Sequence, residues 1–417
     1  MVVVALLLAA ALTLVGCGGS ATGDGDGRGE GDQGRDADDP GAADDPGGGA
    51  AEGSEDPDAA ADRDHRDEGE PDGTDTAGQD GGSSSDGTDT GSADDPGEGE
   101  GEDEAADGTD TDGPGPAEPQ VDPAEVGANE LGVVPVLMYH QLREDGGSVY
   151  DLTPEEFRAE LTWLFDNGYR PITAAQLARG EIDVPAGTKP VVLTFDDSTS
   201  SQARLTEDGT LDPRTSLGIL VELAARYDDV EPRASVYVIT GSLFGGTAAG
   251  EQVLEVLHAH GMELGNHTHT HPNLATLTDA EVQEELATNV SVVTDLVPDA
   301  EVATLSLPLG VAPADRTLAR QGSAAAGSYA HDGVLLVGSN PAPSPFSASF
   351  DAGAIPRIRS NLDPAAEYES SWWLELIEEE GGSWAPFVSD GDPSTISFPA
   401  ALAEELDPAF ADRANPY

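Results

Sequence analysis

Positive charge is scarce in this chain. Its 417 residues include 81 aspartate and glutamate residues but only 18 lysine and arginine residues, which gives a formal net charge of −63 at pH 7. Lys189 is the single lysine of the sequence. Proteins that bind nucleic acids neutralise phosphates with clusters of lysine and arginine side chains. The composition therefore argues against a nucleic-acid-binding protein.

Cysteine is nearly absent as well, since Cys17 stands alone in the sequence, and a fold held together by disulfides is excluded. Cys17 follows an apolar run at residues 2–15, which is short for a membrane span and typical of a secretory signal. The tetrapeptide LVGC, which ends at Cys17, resembles the lipobox of bacterial lipoproteins. This resemblance implies cleavage before Cys17, a lipid on its thiol and an extracytoplasmic, membrane-anchored location at the cell surface. No basic residue precedes the apolar run, so either the start codon is misassigned or the signal is atypical. The alternative is a plain signal peptide with a chance cysteine.

Residues 18–128 contain hardly any of the aromatic and apolar β-branched residues that build a core. They consist mainly of glycine, acidic, alanine, proline, serine and threonine residues, and Asp-Asp-Pro recurs at 38–40, 44–46 and 94–96. Such a segment cannot bury enough apolar surface to offset the entropy of ordering it. We therefore predict a signal peptide at 1–17, a disordered acidic linker at 18–128 and one folded domain at 129–417.

Apolar runs and helix-like segments alternate through the folded part. The pattern predicts strands at 133–139, 191–195, 234–239, 263–265, 301–305 and 334–337, and helices at 153–167, 217–227, 252–260 and 278–296. This alternation is typical of an α/β fold built on parallel strands. In such folds the functional site lies at the carboxyl ends of the strands.

Two of the predicted strands end in residues that bind metals and move protons. Asp196 and Asp197 follow the strand at 191–195, and His267, His269 and His271 follow the strand that begins at 263. If the loop turns between His267 and His271, these two rings converge while His269 points away. Two imidazoles and one carboxylate with an open position suit catalytic Zn²⁺, and other first-row metals accept the same ligands. The second aspartate is then free to take a proton from water.

These motifs together resemble those of the polysaccharide deacetylases (NodB homology, carbohydrate esterase family 4). The resemblance rests on Asp196-Asp197 within TFDD and on His267-Thr268-x-x-His271, and it covers roughly residues 131–400. It implies a distorted (β/α) barrel with fewer than eight strands. It also implies a divalent metal, usually zinc, on Asp197, His267 and His271, with Asp196 as the general base. Members of the family remove acetyl groups from N-acetylglucosamine polymers or from acetylated xylan.

Two parts of the family pattern differ here. Ser306 stands where many members carry the arginine of Arg-x-Pro-x-Gly, so Arg357 and Arg359 are the candidates to orient the base. The backbone N–H of Leu309 is the candidate oxyanion donor, because a backbone donor needs no particular side chain. The usual Leu-x-His histidine near the C-terminus is missing, and we assign the general acid to His140 instead. His140 ends VPVLMYH, which resembles the circularly permuted poly-N-acetylglucosamine deacetylases.

The resemblance implies an enzyme that removes acetyl groups from peptidoglycan, a chitin-like polymer or an exopolysaccharide. Two alternatives stay open. One is an acetyl-xylan-type esterase that uses the same site, because an ester has a better leaving group and needs no cationic acid. The other is a surface lipoprotein that binds glycan through a catalytically decayed site. The expected partners are the acetylated polysaccharide and, through Cys17, a membrane. The sequence gives no indication of a protein partner.

Overall fold

The computed structural model of the protein describes residues 121–417, apart from Thr247, Pro364 and Glu380. The predicted signal peptide with Cys17, and all of the predicted linker up to residue 120, lie outside the described residues. Within residues 121–417, none of the described helices combines the length and the apolar character that a membrane span requires.

The helices and strands alternate along most of the domain. The helices are α1 (Pro123–Val126), α2 (Pro154–Asp166), α3 (Ala174–Arg179), α4 (Ser216–Ala224), α5 (Ala248–Ala259), α6 (Asp279–Leu296) and α7 (Ser370–Glu379). The strands are β1 (Val136–Tyr139), β2 (Tyr169–Ile172), β3 (Lys189–Phe195), β4 (Ser235–Val238), β5 (Glu263–Asn266), β6 (Thr304–Ser306), β7 (Gln321–Ala324), β8 (Gly327–Ala330), β9 (Gly333–Leu335), β10 (Ile358–Arg359), β11 (Ile396–Phe398) and β12 (Ala414–Pro416).

Eight strands of the described region form one sheet in which every neighbouring pair is parallel. The order is β10-β1-β3-β4-β5-β6-β9, and β2 pairs with β3 outside this path. One side of β3 faces β1, and the other side is shared between β2 at its start and β4 at its end. The family resemblance implied fewer than eight strands. That count was wrong because β2 adds an eighth strand beside a path of seven.

The two edges of this sheet approach each other, so the sheet curls into a distorted barrel. Leu335 of β9 forms a parallel bridge to Ile355, just before β10. The N–H of Leu336 donates to the carbonyl of Ile355 at 2.9 Å. Helices pack against the sheet, and the predicted α/β fold with parallel strands is confirmed.

The strands are apolar because both of their faces are covered. All of β1 is buried, and so is β3 from Pro190 to Phe195. Phe157 and Leu161 of α2 belong to the same core cluster as Leu193 and Phe195 of β3. This packing leaves the polar residues that follow β1, β3 and β5 at one end of the barrel.

Capping residues explain where three of the helices begin. In each capping box a threonine side chain and the third helical residue accept each other's backbone N–H. The pairs are Thr153 with Glu156 in α2, Thr173 with Gln176 in α3 and Thr278 with Glu281 in α6. The predicted starts of α2 and α6 are confirmed, whereas α3 was not predicted.

Candidate active site

The turn after β3 holds two adjacent aspartates in an unusual backbone conformation. Asp197 has φ 80° and Ser198 has φ 47°, a left-handed region that favours glycine. The Nε2 group of Gln202 donates to the backbone oxygens of Asp196 and His140 and so pins the turn to the end of β1. Strain of this kind costs energy and collects at functional sites, where the surroundings hold it in place.

The histidine loop after β5 is built in a similar way. Thr268 has φ 65° and His271 has φ 57°. The hydroxyl of Thr268 accepts the N–H of His271 at 2.9 Å, and the side-chain oxygen of Asn266 accepts the N–H of Thr268 at 2.8 Å. The loop therefore turns between His267 and His271, whose ring centroids lie 4.8 Å apart.

Asp197, His267 and His271 come together as a possible metal site, with one ligand atom of each within 4.8 Å of the others. Oδ1 of Asp197 lies 3.4 Å from Nε2 of His267 and 3.6 Å from Nε2 of His271. Nδ1 of His267 donates to the carbonyl of Ser306 at 2.9 Å, because a carbonyl can only accept. This bond leaves a lone pair on Nε2, the arrangement of a metal-ligating histidine.

A buried atom without a partner supports the fit of a cation to this site. Among the described residues, Nε2 of His267 is buried and has no hydrogen-bond partner. Buried polar atoms are normally satisfied, so each exception needs an explanation. A divalent cation on Asp197, His267 and His271 would satisfy this nitrogen and compensate the half-buried carboxylate of Asp197.

Without a metal, the charges in the site already influence each other. Burial acts to raise the pKa of Asp197, but the interactions of this carboxylate with His267 and His140 together lower it. Burial acts to lower the pKa of His267, but Asp196 and Asp197 together raise it. The pKa of His271 is lowered by burial and by the charge of His267. Even without a bound cation, the surroundings thus favour an ionised Asp197 and a neutral His271.

Asp196 is held by a buried arginine that directly precedes β10, two strands away from β3 in the sheet. The two terminal nitrogens of Arg357 donate to the two carboxylate oxygens of Asp196, both at 2.8 Å. Arg357 is fully buried, and its Nε donates to the carbonyl of Leu336 at 2.8 Å. The hydroxyl of Ser306 donates to the same carboxylate at 3.1 Å. Burial alone would raise the pKa of Asp196, but Arg357 and His267 lower it well below its usual range.

Of the two candidate arginines, the structure therefore brings Arg357 and not Arg359 to the aspartate. Arg359 pairs with Glu369, and its guanidinium lies 5.0 Å from the ring centre of Tyr150. The reason is geometric, since two residues along a strand advance by about 6.6 Å on the same face. Arg359 therefore lies further along the chain, and its side chain bonds to Glu369 instead of Asp196.

His140 follows β1, and its ring centre lies 5.0 Å from that of Tyr150. Its Nδ1 is buried and has no hydrogen-bond partner among the described residues. Burial lowers the pKa of His140, and the opposing effect of Asp196 and Asp197 does not compensate. Nearby carboxylates favour the cationic form of an imidazole. Desolvation is the stronger effect, so the uncharged ring is favoured.

Leu309 lies in the short 3₁₀ turn at Pro308–Gly310 with φ 58°. The hydrogen bonds of this turn run from Gly310 to Leu307 and from Val311 to Pro308, so neither uses the N–H of Leu309. The side chain of Leu309 is 59% exposed. The N–H thus belongs to an exposed turn after β6, at the same end of the barrel as the two motifs.

Several supporting residues were not found from the sequence. Ser306 contacts both halves of the site, and its only sequence signal was its departure from the family motif. The Nε2 of buried His331 lies 3.2 Å from Nδ2 of Asn266, and burial lowers the pKa of His331 to about 4. His269 turns away from the site as expected, with Nδ1 3.0 Å from the hydroxyl of Thr240.

The sequence comparison agrees with this geometry. Residues 183–327 match the profile of the family described as Polysaccharide deacetylase. This segment contains both aspartates and all three histidines of the two loops. This part of the chain is therefore similar to the polysaccharide deacetylases. The profile begins after His140 and ends before Arg357, so both residues lie outside the matched segment.

Individual relatives are distant. YxkH of Bacillus subtilis (strain 168), provisionally named a polysaccharide deacetylase, is 25% identical over 186 residues, which is 42% of this chain and 57% of YxkH. The polysaccharide deacetylase BC0361 of Bacillus cereus is 21% identical, with a TM-score of 0.43, and 54% of this chain covers 64% of it. The Streptococcus pyogenes deacetylase PplD, in complex with acetate, is 21% identical with a TM-score of 0.43, and 57% of this chain covers 95% of it. This chain thus spans less than two thirds of YxkH and of BC0361.

Proposed function

We propose that this protein is a metal-dependent hydrolase that removes acetyl groups from an N-acetylglucosamine-containing polysaccharide at the cell surface. The observation that supports it most is the grouping of Asp197, His267 and His271 beside the ionised carboxylate of Asp196. A metal-ligand set next to a separate ionised base is what hydrolysis of an acetyl group requires.

In this proposal each aspartate has its own role. Asp197, His267 and His271 hold the cation, most reasonably Zn²⁺ given two imidazoles and one carboxylate. When bound, the cation lowers the pKa of water and polarises the acetyl carbonyl. Asp196 accepts the proton of the attacking water. Arg357 fixes both oxygens of Asp196, so the base is oriented and remains ionised until it takes that proton.

The remaining roles fall to His140 and Leu309. The backbone N–H of Leu309 donates to the carbonyl oxygen as negative charge develops on it. His140 donates a proton to the departing nitrogen. Because burial lowers the pKa of His140, the cationic form becomes rare as the pH rises. We therefore expect amide cleavage to weaken toward alkaline pH.

The lowered pKa of His140 also favours a second candidate, an esterase that acts on acetylated xylan. An ester has a better leaving group than an amide and does not need a cationic acid. In that case the metal site and Asp196 keep their roles, and only the contribution of His140 shrinks. The pH dependence of turnover distinguishes the two candidates, because only amide cleavage should follow the protonation of His140.

The anchoring of the protein is a separate part of the proposal. We propose that Cys17 carries a lipid and that an acidic linker up to about residue 128 holds the domain away from the membrane. Expression of the full chain in a bacterial host with radiolabelled palmitate tests this directly. Label and membrane association that disappear in Cys17→Ser support the anchor. Unlabelled protein that is secreted into the medium contradicts it.

The experiment that tests the activity is acetate release by the full-length protein. N-acetylglucosamine oligomers and acetylated xylan are offered side by side, with added Zn²⁺ and with a chelator. Release from the oligomers that the chelator stops and zinc restores supports the deacetylase. Release from xylan alone supports the esterase. Binding of the oligomers without any acetate release supports a glycan-binding protein, and the hydrolase proposal then fails.

A further inference from the structure

The histidine loop needs support from outside itself. Its two proposed metal ligands, His267 and His271, are separated by three residues, and Thr268 and His271 both have left-handed φ values. A left-handed conformation costs a non-glycine residue roughly 1–2 kcal/mol. Such a loop does not keep its shape on its own, so other residues must determine where His271 points.

Helix α6 provides this support through one side chain above all, Glu285. One carboxylate oxygen of Glu285 accepts the N–H of His269 at 2.9 Å and the N–H of Thr270 at 2.8 Å. The other oxygen accepts the hydroxyl of Thr270 at 2.7 Å. All three bonds fall between the two proposed ligands, in the part of the loop that decides how the chain returns to His271.

The rest of the loop is held independently of Glu285. Nδ2 of Asn289, one helical turn further along α6, donates to the carbonyls of Val238 and Thr268, both at 2.7 Å. Asn266 donates to the carbonyl of Leu286 at 3.0 Å. These contacts fix the beginning of the loop around His267. In the second half, the Thr268 hydroxyl and Thr240 make one contact each, whereas Glu285 makes three.

We propose that Glu285 is a positioning residue that orders the histidine loop for metal binding by placing His271 opposite Asp197. The inference rests on the proposed function, because it concerns the proposed metal site. Glu285 itself touches neither the ligand atoms nor the reacting groups. Its loss leaves two backbone N–H groups and one hydroxyl without their acceptor, and His271 becomes disordered while His267 stays on the carbonyl of Ser306.

The test compares the zinc affinity of metal-free full-length variants, measured by competition with a chromophoric chelator. For Glu285→Ala we expect a Kd raised about 10- to 100-fold, the usual cost of removing a residue that orients a ligand. The Co²⁺-loaded variant should also show a changed visible spectrum, because one imidazole no longer binds in the same way. Neither readout depends on enzymatic activity.

Two variants serve as controls. Glu284→Ala removes an equal charge and side chain from the exposed neighbour on the same helix, and its Kd should remain that of the wild type. Glu285→Gln removes the charge but keeps an oxygen for the two N–H groups, while its amide donates to the Thr270 hydroxyl. This variant should restore most of the affinity, which separates positioning from simple electrostatic attraction.

The possible outcomes distinguish a failure of the Glu285 role from a failure of the proposed function. Wild-type zinc affinity in a folded Glu285→Ala variant overturns the positioning role and leaves the proposed function standing. A wild-type protein that binds no zinc overturns both. If Glu285→Ala does not fold, Thr270→Val removes only the hydroxyl contact at an exposed position, and a Kd raised about threefold supports the role. An unchanged Kd in Thr270→Val then overturns it.

Discussion

Two regions of the domain each bury a carboxyl group, and they shift its pKa in opposite directions. At the end of β3, Asp196 is 2% exposed and lies against the buried guanidinium of Arg357, which keeps its pKa low. Where the start of the domain meets the C-terminal segment, Glu130 is 4% exposed and accepts the N–H of Ser397 at 2.7 Å. Glu130 forms no salt bridge within residues 121–417, and burial raises its pKa to about 8.

The comparison shows that burial does not by itself decide whether a carboxyl group is charged. Desolvation is the largest influence on both groups, and it acts to raise both pKa values. The difference comes from Arg357, which offers two donors and a full charge at 2.8 Å, whereas Asp390 adds a second negative charge near Glu130. The barrel thus keeps ionised the one buried acid that the proposed chemistry needs as a base.

The largest predicted effect comes from removing the Arg357 guanidinium, the positive charge that Asp196 has beside it and Glu130 lacks. In Arg357→Ala, Asp196 remains buried without compensation, and we expect the free energy of unfolding to fall by about 3–5 kcal/mol. The pKa of Asp196 should then rise as that of Glu130 does, and acetate release should be lost at neutral pH. Urea denaturation and acetate assays check both. Arg359→Ala, which removes a partly exposed arginine two residues away, should cost much less stability, and an equal loss would contradict this account.

The second prediction concerns Glu130→Gln, which replaces the buried carboxyl group by an amide that cannot ionise as the pH rises. In the folded protein the pKa of Glu130 lies at about 8, above the ordinary 4.5, so the folded state holds an extra proton between these values. Wild-type stability should therefore fall as the pH rises from about 5 to about 9, and Glu130→Gln should lack this decline. Over that range, the free energy of unfolding of the variant should rise by about 2–4 kcal/mol relative to that of the wild type.

Thermal and urea unfolding at several pH values measure this difference. Glu125→Gln changes an exposed glutamate of the same segment and should follow the wild type at every pH. A Glu130→Gln variant whose stability also declines with pH, in parallel with the wild type, would show that Glu130 is ionised in the folded state.

The smallest predicted effect concerns the second donor to Asp196. Ser306→Ala removes the hydroxyl bond of 3.1 Å but keeps the backbone carbonyl that accepts Nδ1 of His267. A single hydrogen bond of this kind contributes about 1 kcal/mol, so turnover should fall about fivefold. The Kd for zinc should not change. A large loss of zinc affinity would mean that the Ser306 side chain also supports the histidine loop.

Much of the domain could be predicted because its signals are local. The strand before Asp196 and the starts of α2 and α6 depend on neighbouring residues, and these three predictions are confirmed. The convergence of the two motifs followed from their positions at the ends of parallel strands. The loop between His267 and His271 required only that the chain turn there.

The features that were not predicted depend on contacts far apart in the sequence. β10 has only two residues, too few for a recognisable strand pattern. The sequence therefore named Arg357 and Arg359 as candidates but could not indicate which of them reaches an aspartate 161 positions away from Arg357. β2 contains Pro171, which obscures its strand character, and it pairs with only part of β3. The role of Glu285 depends on how α6 packs against the histidine loop, and no short sequence motif predicts this packing.

The central claim is that the two adjacent carboxylates after β3 have different roles: Asp197 binds the metal and Asp196 accepts the proton. The most direct measurement determines bound zinc and acetate release together for Asp196→Asn and Asp197→Ala, with the exposed Asp299→Asn as control. We predict that Asp196→Asn keeps one zinc per chain while its turnover falls by about 10²–10⁴-fold, and that Asp197→Ala loses both. Wild-type turnover in Asp196→Asn, or full zinc binding in Asp197→Ala, would contradict this division.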